Sequence, residues 1–127
     1  MSYEDSVYIS LNKKERISKL LVLPIDDFYN AQDTKIGKDI IDAEHIGGVI
    51  INNGSKEKVK NWIQELRKSS FPERPFVALN LPELLSFPLD GGIDLPTKAK
   101  VELLSDEDAM MDLGYWIGDQ IREVGFD

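Results

Sequence analysis

His45-Ile46-Gly47-Gly48-Val49-Ile50-Ile51-Asn52-Asn53-Gly54 is an unbroken apolar run with abrupt polar ends. From Ile46 to Ile51 no polar residue alternates with the apolar ones, which is the pattern of a strand covered on both faces, as in a parallel sheet with helices against it. The two glycines leave room for a close-packed helix. Asn52-Asn53-Gly54 then turns the chain, and Ser55 is placed to cap the helix that follows.

Upstream of this run, Asn12 followed three residues later by Glu15 is a capping-box pattern, and Ile17, Leu20 and Leu21 put an apolar edge on the short helix it opens. The period then changes. Leu20-Leu21-Val22-Leu23-Pro24-Ile25 is a second strand candidate, and Pro24 near its end argues for the close of a ladder or for an edge position. Asp26-Asp27 follows directly. Asp33 or Thr34 can cap a helix with Ile36, Ile40 and Ile41 on one side, which leads into the central strand. Residues 1–11 are expected to be poorly ordered.

Downstream, Val59, Trp62, Ile63 and Leu66 fall at i, i+3, i+4 and i+7, the clearest helical stripe in the chain. Pro75-Phe76-Val77-Ala78-Leu79-Asn80-Leu81 is a third strand candidate, opened by a proline where a missing N–H is tolerated. Residues Pro82 to Thr97 read as a long irregular connection containing an Asp90-Gly91-Gly92 turn, and loops of that length are disproportionately functional. Ser105 is expected to cap a last helix whose first turn, Asp106-Glu107-Asp108, suits the positive end of the helix dipole. Its predicted core face is Ala109, Leu113, Trp116, Ile117, Ile121 and Val124, with Gly125 as the stop. Gly114 and Gly118 each cost about 1 kcal/mol relative to alanine inside a helix, which predicts that this helix lies tight on the sheet.

The order of elements implies an α/β fold of successive βα units around a parallel sheet. At 127 residues the whole chain, 1–127, is expected to be a single domain. Two architectures fit, part of an eight-stranded (β/α)8 barrel or a small open doubly wound sheet, and in both the ligand sits at the carboxyl ends of the strands. The residues there are Asp26 and Asp27, Asn52 and Asn53, and Asn80 with Glu83.

Composition excludes several functions. Fifteen basic against twenty-three acidic residues give a net charge of −8, which repels an extended phosphate backbone, and Lys13-Lys14-Glu15-Arg16 reads as a solvated helix face, so no nucleic-acid partner is expected. The absence of cysteine excludes disulfides and thiolate metal sites. His45 is the only histidine, which excludes an all-histidine metal cage, and its place before the central strand favours a structural or surface role. Neither a Gly-x-Gly-x-x-Gly nor a Walker pattern is present, and neither a metal nor a cofactor is expected. The polar start and the lack of a long apolar run predict no membrane association and a cytoplasmic location.

Three local patterns, in this order, carry a family resemblance. They are the Ile46-Gly47-Gly48-Val49-Ile50 strand, the proline-led strand from Pro75 to Asn80, and, after Leu95-Pro96, the closing helix through Ile117-Gly118-Asp119-Gln120-Ile121-Arg122-Glu123-Val124-Gly125-Phe126-Asp127. From Asn12 onward the chain resembles the N-terminal portion of the glycoside hydrolase family 3 barrel, the group containing bacterial β-N-acetylglucosaminidases. The resemblance implies a carbohydrate ligand and a parent activity of O-glycosyl hydrolysis.

The departures from the family bear on activity. Family members follow the third strand with Asp-Gln-Glu-Gly-Gly-Arg, whose aspartate holds sugar hydroxyls; the matching stretch here is Asn80-Leu81-Pro82-Glu83-Leu84-Leu85. From Leu81 to Asp94 there is no lysine or arginine, whereas the family uses a basic residue in this loop. The family's nucleophile and general acid/base lie in later βα units, so this chain is expected to be a truncated or partial relative, inactive alone, with no catalytic residues of its own.

Retaining glycosidases need two carboxyl groups about 5–5.5 Å apart. The acids at the expected site end are Asp26, Asp27, Glu83, Asp90 and Asp94; Asp90 is more simply a turn residue, and Asp26-Asp27 can equally cap local backbone. Two other readings stay open, a non-catalytic module binding a carbohydrate or a protein through Asn52, Asn53, Asn80 and Glu83, and a stand-alone α/β domain. Three parallel strands with open edges and an uncovered inner face further predict association with another copy or with further sequence.

Overall fold

The computed structural model describes residues 2–26, 31–69, 74–81, 88–92, 94, 96, 98–103 and 106–127. Its elements run α1 (Tyr3–Ser10), α2 (Lys13–Ser18), β1 (Val22–Ile25), α3 (Ala31–Glu44), β2 (Gly48–Ile51), β3 (Gly54–Ser55), α4 (Lys56–Ser69), β4 (Phe76–Leu79), β5 (Leu89–Asp90), α5 (Lys98–Glu102) and α6 (Glu107–Val124). Strands β1, β2 and β4 form a parallel sheet in that order, and β3 pairs with β5 in a separate two-stranded parallel ladder. Helices therefore connect parallel neighbours, as βα order requires.

Both N-terminal helices begin with reciprocal caps. Asn12 accepts from the Glu15 N–H while the Glu15 carboxylate accepts from the Asn12 N–H, closing the predicted box on α2. Ser2 and Asp5 do the same for α1, inside the region for which no element was predicted. The signal was Ser2-x-x-Asp5, weaker to the eye than a box with glutamate.

Register puts Leu23, Val49 and Val77 side by side, then Ile25, Ile51 and Leu79. Alternation along a strand sends these residues to one face of the sheet and Val22, Pro24, Ile50, Phe76 and Ala78 to the other. The first face is the core. Ile25, Val49, Ile51 and Val77 pack with Ile41 of α3, Val59, Trp62, Ile63 and Leu66 of α4, and Val124 and Phe126 at the end of α6. The second face is open, with Val22 at 50%, Ile50 at 36% and Phe76 at 54% exposure. The apolar run therefore predicts coverage on two faces where only one is covered, because α3, α4 and α6 all contribute to the same side.

Gly47 and Gly48 are needed for close approach, but not to helix side chains. A Cβ on Gly47 would lie 1.8 Å from the carbonyl oxygen of Lys19, the residue capping α2, and one on Gly48 would lie 3.2 Å from the Phe76 carbonyl on the neighbouring strand. The start of β2 is wedged against backbone on both sides.

Helix α6 departs from its predicted packing. Its N-cap is Asp106, whose side chain accepts from the N–H groups of Asp108 and Ala109, while Ser105 lies outside the described residues. Trp116, predicted to face the core, is 64% exposed. Gly114 has no atom within 4 Å of a Cβ, and Gly118 meets only the Arg122 side chain of its own helix, so neither glycine marks contact with the sheet. The predicted stop at Gly125 is present in left-handed conformation at φ 105°.

Polar clamps fix the end of α6. Lys56, the first residue of α4, donates to Gln120 and Glu123, both at 2.8 Å. Arg67 donates to the Gly125 carbonyl at 2.6 Å and to Asp127 at 3.0 Å; the Asp127 N–H bonds the Val77 carbonyl, and its carboxylate accepts from the Val77 N–H.

The hydrogen bond from Lys56, and secondarily its charge, hold the Glu123 carboxyl below its usual value of 4.5. A depressed folded-state value stabilises the fold above the ordinary carboxylate pKa and is lost as pH falls through the folded one. Lys56→Met is therefore expected to raise the Glu123 midpoint toward the ordinary carboxylate range and to remove this contribution to acid sensitivity; a carboxyl-carbon NMR titration reads the first, and urea unfolding at several pH values the second. An unmoved midpoint would mean that the clamp is not formed in solution.

Candidate functional site

Each strand of the three-stranded sheet is followed at once by a polar residue: Asp26 after β1, Asn52 after β2 and Asn80 after β4. The ladder runs on through them, since the Asn52 N–H donates to the Ile25 carbonyl at 3.2 Å and the Asn80 N–H to the Ile51 carbonyl at 2.9 Å. In this register the three side chains follow Pro24, Ile50 and Ala78 on the open face.

They bond to one another in a row. Asn80 Nδ2 donates to Asn52 Oδ1 at 2.9 Å, and Asn52 Nδ2 donates to Asp26 Oδ1 at 2.5 Å. Asn53 Nδ2 donates to the Asp26 backbone carbonyl at 2.6 Å. The last two bonds tie β1 to the turn after β2, and the bond to the carboxylate is of the stronger, charge-assisted kind. Asn52 is half-buried and uses both ends of its amide, whereas Asp26 and Asn80 at the two ends are exposed. An apolar recess of 250 Å³ adjoins Asp26, lined by Leu23, Ile25, Ile36, Gly37 and Ile40 between β1 and α3.

The row's remaining capacity follows from its bonding. Asp26 keeps its second carboxylate oxygen as an acceptor, and Asn80 keeps its carbonyl oxygen and one N–H. Acceptors and a donor spaced across the strand ends suit hydroxyl groups, each of which both gives and takes a hydrogen bond. Directly below them lie Pro24, Ile50 and Ala78, so a polar rim meets an apolar floor. The row itself contains one carboxyl group.

Of the residues singled out in the sequence, Asp26, Asn52, Asn53 and Asn80 are brought together. Asp27 and Glu83 lie outside the described residues. Asp90 is elsewhere, in β5 opposite Ser55. Sequence reasoning missed that Asn52 is the hub; its position after the most buried strand was the available signal. Among the described residues no helix is long and apolar enough to cross a membrane. No protein-family model matches this chain, and no curated protein matches it.

Proposed function

We propose that this chain is a glycoside hydrolase family 3-like scaffold that binds carbohydrate at the carboxyl ends of its parallel strands without itself supplying the pair of carboxyl groups that cleaves a glycosidic bond. The observation carrying this reading is the hydrogen-bonded row Asp26–Asn52–Asn80, set in register across three strands. A sugar ring offers vicinal hydroxyls above apolar C–H faces. The polar rim, with Pro24, Ile50 and Ala78 directly beneath it, matches both halves of that chemistry.

The proposal also places the open face toward the interior of a barrel, where its apolar residues would meet further strands. In a barrel the carboxyl ends of the strands form the ligand face. Cleavage with retention needs a second carboxyl group about 5–5.5 Å from the first. In the row an amide occupies the place beside Asp26, and an amide can orient a substrate but cannot serve as nucleophile or acid.

Titration with N,N′-diacetylchitobiose, followed by amide NMR, tests binding. Shifts are expected at the side-chain amides of Asn52 and Asn80. Asn52→Leu breaks two links of the row, one of them to a carboxylate, and is expected to weaken binding by about 2 kcal/mol or more, against about 1 kcal/mol for Asn80→Ala. Unchanged spectra at these amides with millimolar sugar would remove the proposal. An aryl N-acetylglucosaminide is expected to remain intact; turnover by this chain that disappears in Asp26→Asn would overturn the non-catalytic part.

A further inference from the structure

The protein carries a net charge of −8, yet the fold gathers cations on one surface. An open groove of 970 Å³ runs along α1 and α2, and among the described residues Lys13, Arg16, Lys19 and Arg74 line it together with the acid Glu4. Arg74, which precedes β4, is brought there from far along the chain. The rest of the lining is apolar or aromatic, and much of it is open: Tyr3 is 72% exposed, Tyr8 60% and Leu20 82%. The Arg16 guanidinium lies 4.0 Å from the centre of the Tyr8 ring and donates to the Leu11 carbonyl at 2.9 Å, which joins the two helices into one wall.

The opposite character is found on the outer side of α6. Met111, Tyr115 and Trp116 are all more than half exposed, and at 100° per residue Asp108 and Asp112 fall between Tyr115 and Trp116 around the helix. Arg122, bonded to Asp119 at 2.7 Å, lies on the same side, so the surface carries large apolar groups with acids in excess, Asp108, Asp112 and Asp119 against one arginine. It is the complement of the groove, in which large apolar groups are interleaved with cations.

We propose that the groove beside α1 and α2 receives the outer face of α6 from a second copy of this chain. Charge selects the pairing. Groove against groove sets cations together, α6 against α6 sets acids together, and the overall −8 opposes any contact that does not join unlike patches. A groove-to-helix contact is heterologous, so each copy offers one groove and one helix, and assembly proceeds to a closed ring or an open chain. The apolar residues supply contact area in the helix-in-groove manner, with Tyr115 and Trp116 as anchors. Association is expected in the micromolar range or weaker.

Sedimentation velocity of the full chain from about 10 µM to about 1 mM, at about 0.02 M and about 0.5 M salt, tests this. The expected result is concentration-dependent association that weakens at the higher salt. Lys13→Glu/Arg74→Glu closes the groove to acids, and Asp112→Lys/Tyr115→Ala spoils the helix face; each alone is expected to weaken association about tenfold or more. All four positions lie outside the core, and circular dichroism checks that both variants keep the parent fold. Mixed together, the two variants retain one intact groove and one intact helix, and a one-to-one pair is expected to reappear. A monomer throughout at low salt, association unchanged in both variants, or variants that weaken it alone but fail to pair when mixed would each overturn the proposal.

Discussion

Substituting alanine for Gly47 is expected to destabilise the fold severely. The added Cβ would sit 1.8 Å from the Lys19 carbonyl oxygen and 2.6 Å from the carbonyl carbon. Both are backbone atoms, and the same segment is held by bonds from the Gly47 N–H to Ser18 and from the Gly48 N–H to Leu21, each 3.2 Å. Relief therefore requires the end of α2 and the start of β2 to separate.

Overpacking usually costs about 1–3 kcal/mol when side chains can yield. Here no side chain is in the way, so a loss of about 3 kcal/mol or more is expected, against a total stability of about 5–15 kcal/mol for a domain of this kind. Urea unfolding measures it. Gly114→Ala is the internal control: that glycine has open space around it inside a helix, and the same substitution is expected to stabilise by up to about 1 kcal/mol. Equal effects at the two positions would refute the wedge at Gly47.

Leu66→Ala is expected to be nearly as costly, for the opposite reason. Leu66 is fully buried on α4, in the cluster that joins this helix to Val49, Ile51 and Val77 of the sheet. Removing its branched end loses transfer free energy and leaves a cavity that a parallel sheet cannot collapse to fill, which together cost about 2–5 kcal/mol. Thermal melting is expected to fall by about 10 °C or more. Leu103→Ala gives the comparison, because that leucine is 83% exposed; its effect is expected to stay within about 0.5 kcal/mol. If the two leucines behaved alike, α4 would not be the element that covers the sheet.

The features legible in the sequence were those set by local periodicity. Val59, Trp62, Ile63 and Leu66 announce α4 because the helical repeat alone places them on one side. Asp26, Asn52 and Asn80 were found because abrupt polar ends of apolar runs mark strand ends, and parallel strands in register bring their ends together. What was illegible depends on position in space. A continuous apolar strand does not say which face its helices cover, so the exposure of Ile50 was unreadable. Trp116 falls at a helical spacing compatible with the core, but α6 packs chiefly on α4 and leaves that side chain exposed. The basic groove was invisible because Arg74 joins Lys13, Arg16 and Lys19 only after folding.

The short ladder of Gly54–Ser55 with Leu89–Asp90 has a polymer consequence. It joins Leu89 and Asp90, about midway in sequence between β4 and α5, to the start of α4, and so divides one chain closure into two. Lengthening either half changes closure entropy only by about 0.6 kcal/mol per doubling, so grafted peptides are best placed on one side or the other of the ladder. An insertion that unzipped those two residue pairs would merge the two closures into one.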